Sequence, residues 1–142
     1  MYNRLARVWR YKKTLAGAFV MLALLRFALF CLPYRKVRKF VAQTPRKRSR
    51  GRIHMHAYQV QWVWAIQLAG RYLLGHKPCL PQALAVQWFL LRQGVATDLN
   101  IGVQKDARDG ISAHAWIERD GKVIIGGTLS PSQFKPLHLV KS

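Results

Sequence analysis

The first feature of the hydrophobic pattern is an apolar run from Leu15 to Leu32, which only Arg26 interrupts and Pro33 ends. Its eighteen positions are borderline for a bilayer crossing, which takes about 20 residues. A charge near the middle of a span costs roughly 2.5 to 3.5 kcal/mol on insertion scales. We therefore predict one or two helices over residues 1–40. We expect residues 15–32 to pack on the rest of the protein or lie at a membrane surface rather than span it.

A strongly basic stretch follows. Between Pro45 and Gly51 the chain carries only Arg, Lys and Ser, without an aromatic or apolar side chain. We interpret residues 41–53 as a solvated linker, although such a run also suits phosphate binding. An aromatic residue, which a base-stacking surface would need, is missing from it. The chain is accordingly divided into residues 1–50, an apolar helix with a basic linker, and residues 51–142, the main domain.

Two helices are predicted after the linker. Apolar residues recur at helical spacing from His54 to Leu74, and Gly75 stops that helix. A second helix is predicted over Cys79 to Gln93, with Pro81 in its first turn and a glycine beyond its last.

After the second helix the hydrophobic pattern repeats every two residues, as in a β-strand. Apolar and polar residues alternate over residues 98–104 and again over residues 111–118. The pair Asp120-Gly121 is a strong hairpin signal that leads into a third strand over residues 122–125. Helices followed by an antiparallel β meander indicate an α+β fold.

Composition and charge narrow the class of protein. The chain has 142 residues, 51% of them apolar, enough for one domain with one core and too many for a disordered chain. Two cysteines exclude a multi-disulfide scaffold and a four-thiolate metal site, and favour a reducing compartment. The net charge is +19, and residues 1–97 carry 18 Lys and Arg but no carboxylate. Such a field predicts an acidic partner, whether nucleic acid, anionic lipid or an acidic peptide.

Two residues stand out as candidate catalytic residues. Cys79 is the first residue of the second helix of the main domain, where unpaired N–H groups stabilise a thiolate and an oxyanion. On position alone, a buried cysteine that only fills space is an equally good interpretation. His114 lies mid-strand between Ala113 and Ala115, whose small side chains would let a helix end approach. Trp116 shares its face and would shield it from water. A lone strand histidine is more often a surface residue, but a helix-start cysteine followed by a strand histidine is the order of papain-like and transglutaminase-like enzymes.

Four short motifs carry a more specific resemblance. They are CLPQALA at 79–85, LRQGV at 91–95, LNIGV at 99–103 and AHAWIE at 113–118, the last followed by Asp120-Gly121. In order and spacing the chain resembles the lasso-peptide leader peptidases, which are transglutaminase-like cysteine proteases. The likeness is close over residues 54–137 and looser in the N-terminal helices.

The resemblance implies a transglutaminase-like or papain-like core and a cytoplasmic peptidase, without a cofactor, that removes the leader from a ribosomally made precursor peptide. Cys79 and His114 would carry the hydrolysis, with Gln82 and Trp116 near the site. A separate ATP-using lasso cyclase would then join the freed amine to a side-chain carboxylate. Because the chain is too short to hold a leader-recognition domain ahead of the catalytic part, we expect a separate small leader-recognition protein.

One position departs from the family pattern. The family usually places an aspartate about a dozen residues after the histidine, and that position falls at Gly126. Asp120, Glu118, Asn100 or a backbone carbonyl would have to orient the imidazole instead. The third catalytic role is therefore left open by the sequence.

Two other interpretations remain. His54, His56, His76 and Cys79 are metal-ligand types, but the first two would lie on different faces of a helix, and a zinc-bound Cys79 would not be a nucleophile. We therefore expect no metal. The alternative function is a basic module that binds nucleic acid or a membrane surface without catalysis. We expect nucleic acid not to be the partner, and an anionic membrane surface remains a possible one.

Overall fold

The computed structural model describes residues 9, 11–45, 57–73, 75, 79–105, 110–126 and 135–136. Within them lie four helices, α1 (Lys12–Cys31), α2 (Tyr34–Ala42), α3 (Ala57–Leu73) and α4 (Cys79–Arg92). Four strands accompany them: β1 (Asp98–Lys105), β2 (Ile111–Arg119), β3 (Lys122–Ile125) and β4 (Lys135–Pro136). Helices followed by an antiparallel sheet confirm the predicted α+β class.

The apolar N-terminal run lies in one helix, α1, and the basic segment after Pro33 forms a second, α2. α1 ends because Leu32 is extended, and Pro33, with its fixed φ, starts α2. Val37 and Val41, four residues apart, place one face of α2 against Leu84 and Leu91 of α4. The predicted linker over residues 41–53 therefore begins too early, because Val41 is helical and fully buried. Residues 46–53 lie outside the described part of the chain.

α1 packs lengthwise on α3. The Gln61 side-chain amide donates a 2.8 Å hydrogen bond to the Thr14 hydroxyl. Gly17 lies directly under the Trp62 ring, where a Cβ would come within 2.8 Å of the indole. Trp62 in turn stacks on Phe89 of α4, with ring centroids 5.1 Å apart. These contacts make α1 part of the same core as the main domain, while the division at residue 50 stays a prediction.

The sheet covers the other side of α4. Its strand order is β3-β2-β1-β4, and all neighbours are antiparallel. Ala115 and Ile117 of β2 are buried in the core shared with the helices. Because side chains alternate along a strand, His114, Trp116 and Glu118 lie on the opposite face of β2. The hairpin predicted at Asp120-Gly121 joins β2 to β3, and both residues have positive φ, as a type I′ turn requires.

The outer face of α1 is exposed and apolar. Val20, Leu24, Phe27 and Phe30 are each more than 60% exposed. By length and composition α1 also meets the requirements of a membrane-spanning helix, with only 17% of its most apolar window buried. The inner face, with Leu15, Ala18 and Leu22, packs on the protein as predicted.

Candidate active site

Cys79 is the first residue of α4 and faces the sheet. Its Sγ lies 4.0 Å from the carbonyl oxygen of Ala113, the residue before His114 on β2. Helix amides in a first turn have no intrahelical acceptor, so the positive end of the helix dipole lies at this thiol. Pro81 supplies no N–H, which leaves the amides of Cys79, Leu80 and Gln82 as first-turn donors.

His114 is held by the chain just beyond β3. Its Nε2 lies 2.5 Å from the carbonyl oxygen of Gly126. A carbonyl oxygen only accepts hydrogen bonds, so Nε2 is the donor and carries the proton in this contact. The lone pair of the neutral ring is then on Nδ1. This tautomer is the one that presents a basic nitrogen on the opposite side of the ring from Gly126.

The thiol and the imidazole lie near the same edge of β2, the thiol against the Ala113 carbonyl and the imidazole against the Gly126 carbonyl. β3 ends at Ile125, opposite Ile117, so it does not extend along β2 as far as Ala113. The Ala115 carbonyl faces Gly126, as a Cβ placed on that glycine would come within 2.8 Å of the oxygen. Carbonyls two residues apart point to the same side of a strand, so the Ala113 carbonyl, against which Cys79 lies, faces this edge as well.

The conformation of Gly126 leaves no room for a side chain at this position. Its φ is +90°, which L side chains rarely adopt. A Cβ would also come within 2.8 Å of the Ala115 carbonyl and of the Trp116 Cβ. A side chain therefore does not fit this backbone, and the carbonyl of the same residue contacts the imidazole instead.

Behind His114 a line of side chains runs along the outer face of β2. The Trp116 ring is nearly parallel to the imidazole, with an interplanar angle of 17° and centroids 6.1 Å apart. The Trp116 indole N–H donates a 2.7 Å hydrogen bond to a Glu118 carboxylate oxygen. Trp116 is 5% exposed, so it covers one side of the imidazole with apolar surface.

The other candidates for the third role lie elsewhere. Asp120 is in the hairpin turn, pairs with Arg119 at 3.5 Å and is six residues from His114, about 20 Å along a strand. Glu118, four residues away at about 13 Å, accepts from Trp116 rather than from the imidazole. Asn100 pairs with Trp116 across the sheet, whereas Gly102 stands opposite His114 and leaves that position without a side chain.

Gln82, one turn into α4, is held by α3. Its side-chain amide donates to the Gln67 carbonyl at 3.2 Å and packs over Gly70, where no Cβ would fit. This contact fixes the start of α4 on α3. Gln82 thereby helps to set where Cys79 meets the sheet.

In the described part of the chain no three His, Cys, Asp or Glu residues cluster where they could hold a metal ion. His54, His56 and His76, the ligands weighed in the zinc interpretation, lie outside the described residues. Of the two cysteines, Cys31 is exposed at the end of α1 and Cys79 is half-buried.

Comparison with protein families agrees with the fold described above. Residues 21–138 match the model of the transglutaminase-like superfamily. The chain belongs to this superfamily. The match covers all of α2, α3, α4 and the sheet, and it begins inside α1. Comparisons with curated proteins and with solved structures found no significant match.

Membership of the transglutaminase-like superfamily places the fold among those that cysteine peptidases and transglutaminases commonly use. It carries nothing specific to lasso-peptide maturation. Two features of the site have little signal in the sequence. The Gly126 carbonyl was one of several possible partners of the imidazole, and Ala113 contributes through its backbone, which residue identity does not reveal.

Proposed function

We propose that this transglutaminase-like protein is a cysteine peptidase that removes the leader from a ribosomally synthesised lasso-peptide precursor. The observation that supports it most is the shared edge of β2, where Cys79 lies against the residue that precedes His114. The hydrolytic chemistry is supported by this arrangement and by the superfamily. The choice of precursor is supported by the sequence motifs of α4 and β2.

In the proposed mechanism the Cys79 thiolate attacks the carbonyl carbon of the bond between leader and core peptide. Loss of the thiol proton to His114 Nδ1 gives an imidazolium, and the carbonyl oxygen becomes an oxyanion at the first-turn amides of α4. When the C–N bond breaks, the imidazolium returns its proton to the leaving amine, and a Cys79 thioester remains. His114 then takes a proton from water, which attacks the thioester, releases the carboxylate and restores the thiol.

The Gly126 carbonyl fills the orienting role in this scheme. By accepting from Nε2–H it fixes the ring orientation and the tautomer with its lone pair on Nδ1. A neutral carbonyl stabilises an imidazolium less than a carboxylate does, yet it selects the same tautomer. Gly126 is thus proposed as a positioning residue. Asp120, Glu118 and Asn100 are not proposed for that role.

The proposed partners are the precursor peptide, a separate small leader-recognition protein and a lasso cyclase that uses the freed amine. Residues 1–97 carry 18 Lys and Arg and no carboxylate, so their positive field attracts an acidic leader. We propose the cytoplasm as the location. The exposed apolar face of α1, with Val20 and Leu24, adds an anionic membrane surface as a proposed contact.

The decisive experiment is precursor cleavage by purified protein, followed by mass spectrometry, with the leader-recognition protein present. Cys79→Ala is expected to abolish cleavage and leave the circular dichroism spectrum unchanged. Cys31→Ala, which removes the exposed cysteine of α1, is the matched control and is expected to cleave at the normal rate. Cleavage by Cys79→Ala would refute the mechanism.

The alternative, a basic binding module without catalysis, is tested with the same protein. Filter binding to RNA and DNA at two salt concentrations would show tight, steeply salt-dependent affinity if phosphate contacts were the function. Such affinity in a protein that cleaves no precursor would favour the alternative.

A further inference from the structure

An open cavity of about 620 Å³ lies between α1 and the start of α4. Most of its wall is the outer face of α1, and it is completed by the end of α3 and the first turn of α4. The residues that line it include Ala23, Arg26, Phe27, Phe30, Leu73 and Pro81. We call this cavity the α1 recess. It differs from the edge of β2 near which Cys79 and His114 lie.

The recess combines apolar walls with a single cation. Phe27 and Phe30 are 67% and 89% exposed, which is unusual for aromatic side chains in adjacent turns. Arg26 is the one charged residue in the run of residues 15–32, and it forms no salt bridge with any described residue. An arginine fork beside apolar surface suits a ligand that carries a carboxylate next to a bulky apolar group.

The recess lies on the other side of the start of α4 from the thiol. Pro81 follows Cys79 by two residues, which is about 200° around the helix, so the two side chains point to opposite sides of the start of α4. A helix is about 10 Å across, and an extended peptide advances about 3.4 Å per residue. A peptide crossing the helix end from Cys79 would therefore reach the recess about three residues from the attacked bond.

We propose that the α1 recess is a peptide subsite, in which a bulky apolar side chain lies on Phe27 and Phe30 while Arg26 binds an adjacent carboxylate. The proposal rests on the proposed peptidase function and adds to it a substrate preference about three residues from the cut. A peptide is favoured over a bilayer because the surface is concave. Val20 and Leu24, on the same helix, do not line the recess.

The test measures peptide binding to Cys79→Ala protein, so that turnover does not enter. The probes are two fluorescein-labelled 12-residue peptides of Gly and Ser that differ only in a central Phe-Glu or Phe-Lys pair. We expect Phe-Glu to bind about fivefold more tightly, as one exposed ion pair allows. When Arg26→Glu is added to the Cys79→Ala protein, we expect the preference to reverse, so that Phe-Lys binds more tightly than Phe-Glu. When Phe30→Ala is added instead, we expect binding of Phe-Glu to weaken about fivefold.

Matched controls separate the recess from the general positive field. Lys36→Glu makes the same change in net charge as Arg26→Glu on the exposed surface of α2, and Leu24→Ala truncates an exposed residue of α1 outside the recess. Both controls are expected to bind Phe-Glu within twofold of the parent. Equal effects of Arg26→Glu and Lys36→Glu would overturn the proposal, because the general field would then account for binding.

The failure of this proposal is distinguishable from failure of the peptidase. Suppose that the protein cleaves the precursor normally, while Arg26→Glu and Phe30→Ala bind the peptides as their controls do. This result would overturn the subsite and leave the peptidase intact. Selective peptide binding without any precursor cleavage would instead contradict the peptidase. If the two recess variants changed only sedimentation with phosphatidylglycerol vesicles, the surface would be a membrane contact and the subsite proposal would be wrong.

Discussion

The two faces of β2 differ in what they contribute. On the inner face Ala115 and Ile117 are buried with the helices and take part in the core. On the outer face His114 contacts the Gly126 carbonyl and is followed by Trp116 and Glu118 in one line. Because strand side chains alternate, one segment of nine residues serves both purposes without conflict. Changes on the two faces should therefore affect stability and activity separately.

The largest expected effect is the loss of activity in His114→Ala. The general acid–base contribution of a positioned histidine is typically about 10²- to 10⁴-fold in rate. We expect precursor cleavage to fall by about 10³-fold, while the free energy of unfolding changes by less than about 1 kcal/mol because His114 is only half-buried. Cleavage assays and urea titration measure the two quantities. A cleavage rate within tenfold of the parent would remove His114 from the mechanism.

Ile117→Ala is the complementary change on the inner face. Ile117 is fully buried, so truncation leaves a cavity and is expected to cost about 2 to 5 kcal/mol of unfolding free energy. The cleavage rate per folded molecule should stay within about threefold of the parent. Urea titration gives the first value, and cleavage assays at low temperature give the second. A selective loss of activity in stably folded protein would show that the two faces are coupled.

Gly126→Ala should affect both quantities, since this residue joins the hairpin to the imidazole. The methyl group would approach the Ala115 carbonyl and the Trp116 Cβ at 2.8 Å, on a backbone with φ of +90°. We expect a loss of about 1 to 3 kcal/mol in stability and at least a tenfold loss in cleavage rate, as the carbonyl that holds His114 shifts. Gly121→Ala, at a positive φ but in open space, is the matched control. It should lower stability without changing the rate per folded molecule.

The smallest effect is expected for Glu118→Gln. The amide oxygen can still accept from the Trp116 indole N–H, so only the charge is lost. We expect a change of less than about 1 kcal/mol in stability and less than threefold in cleavage rate. A loss as large as that of His114→Ala would mean that Glu118 acts on the imidazole through Trp116, and the Gly126 carbonyl would no longer be a sufficient partner.

Much of the fold follows from local pattern. The start of α4 at Cys79, the strands over residues 98–105 and 111–119, and the turn at Asp120-Gly121 agree with the periodicity and turn chemistry of the sequence. The linker boundary at residue 41 was wrong because Val41 continues the helical spacing of Val37 instead of opening the basic linker. It is helical because α4 offers Leu84 and Leu91 to pack against. Local composition does not encode such a partner.

The candidate site likewise has features that follow from local sequence and features that do not. The sequence by itself determined the two candidates for the chemistry, Cys79 and His114, because a helix start and an alternating strand can be read from residues close in the chain. Only the tertiary structure decided that the Gly126 carbonyl contacts the imidazole, and that Arg26 lines a recess beside α4. Backbone carbonyls are identical in every residue, and a recess belongs to three helices together. Neither is a property of a short stretch of sequence.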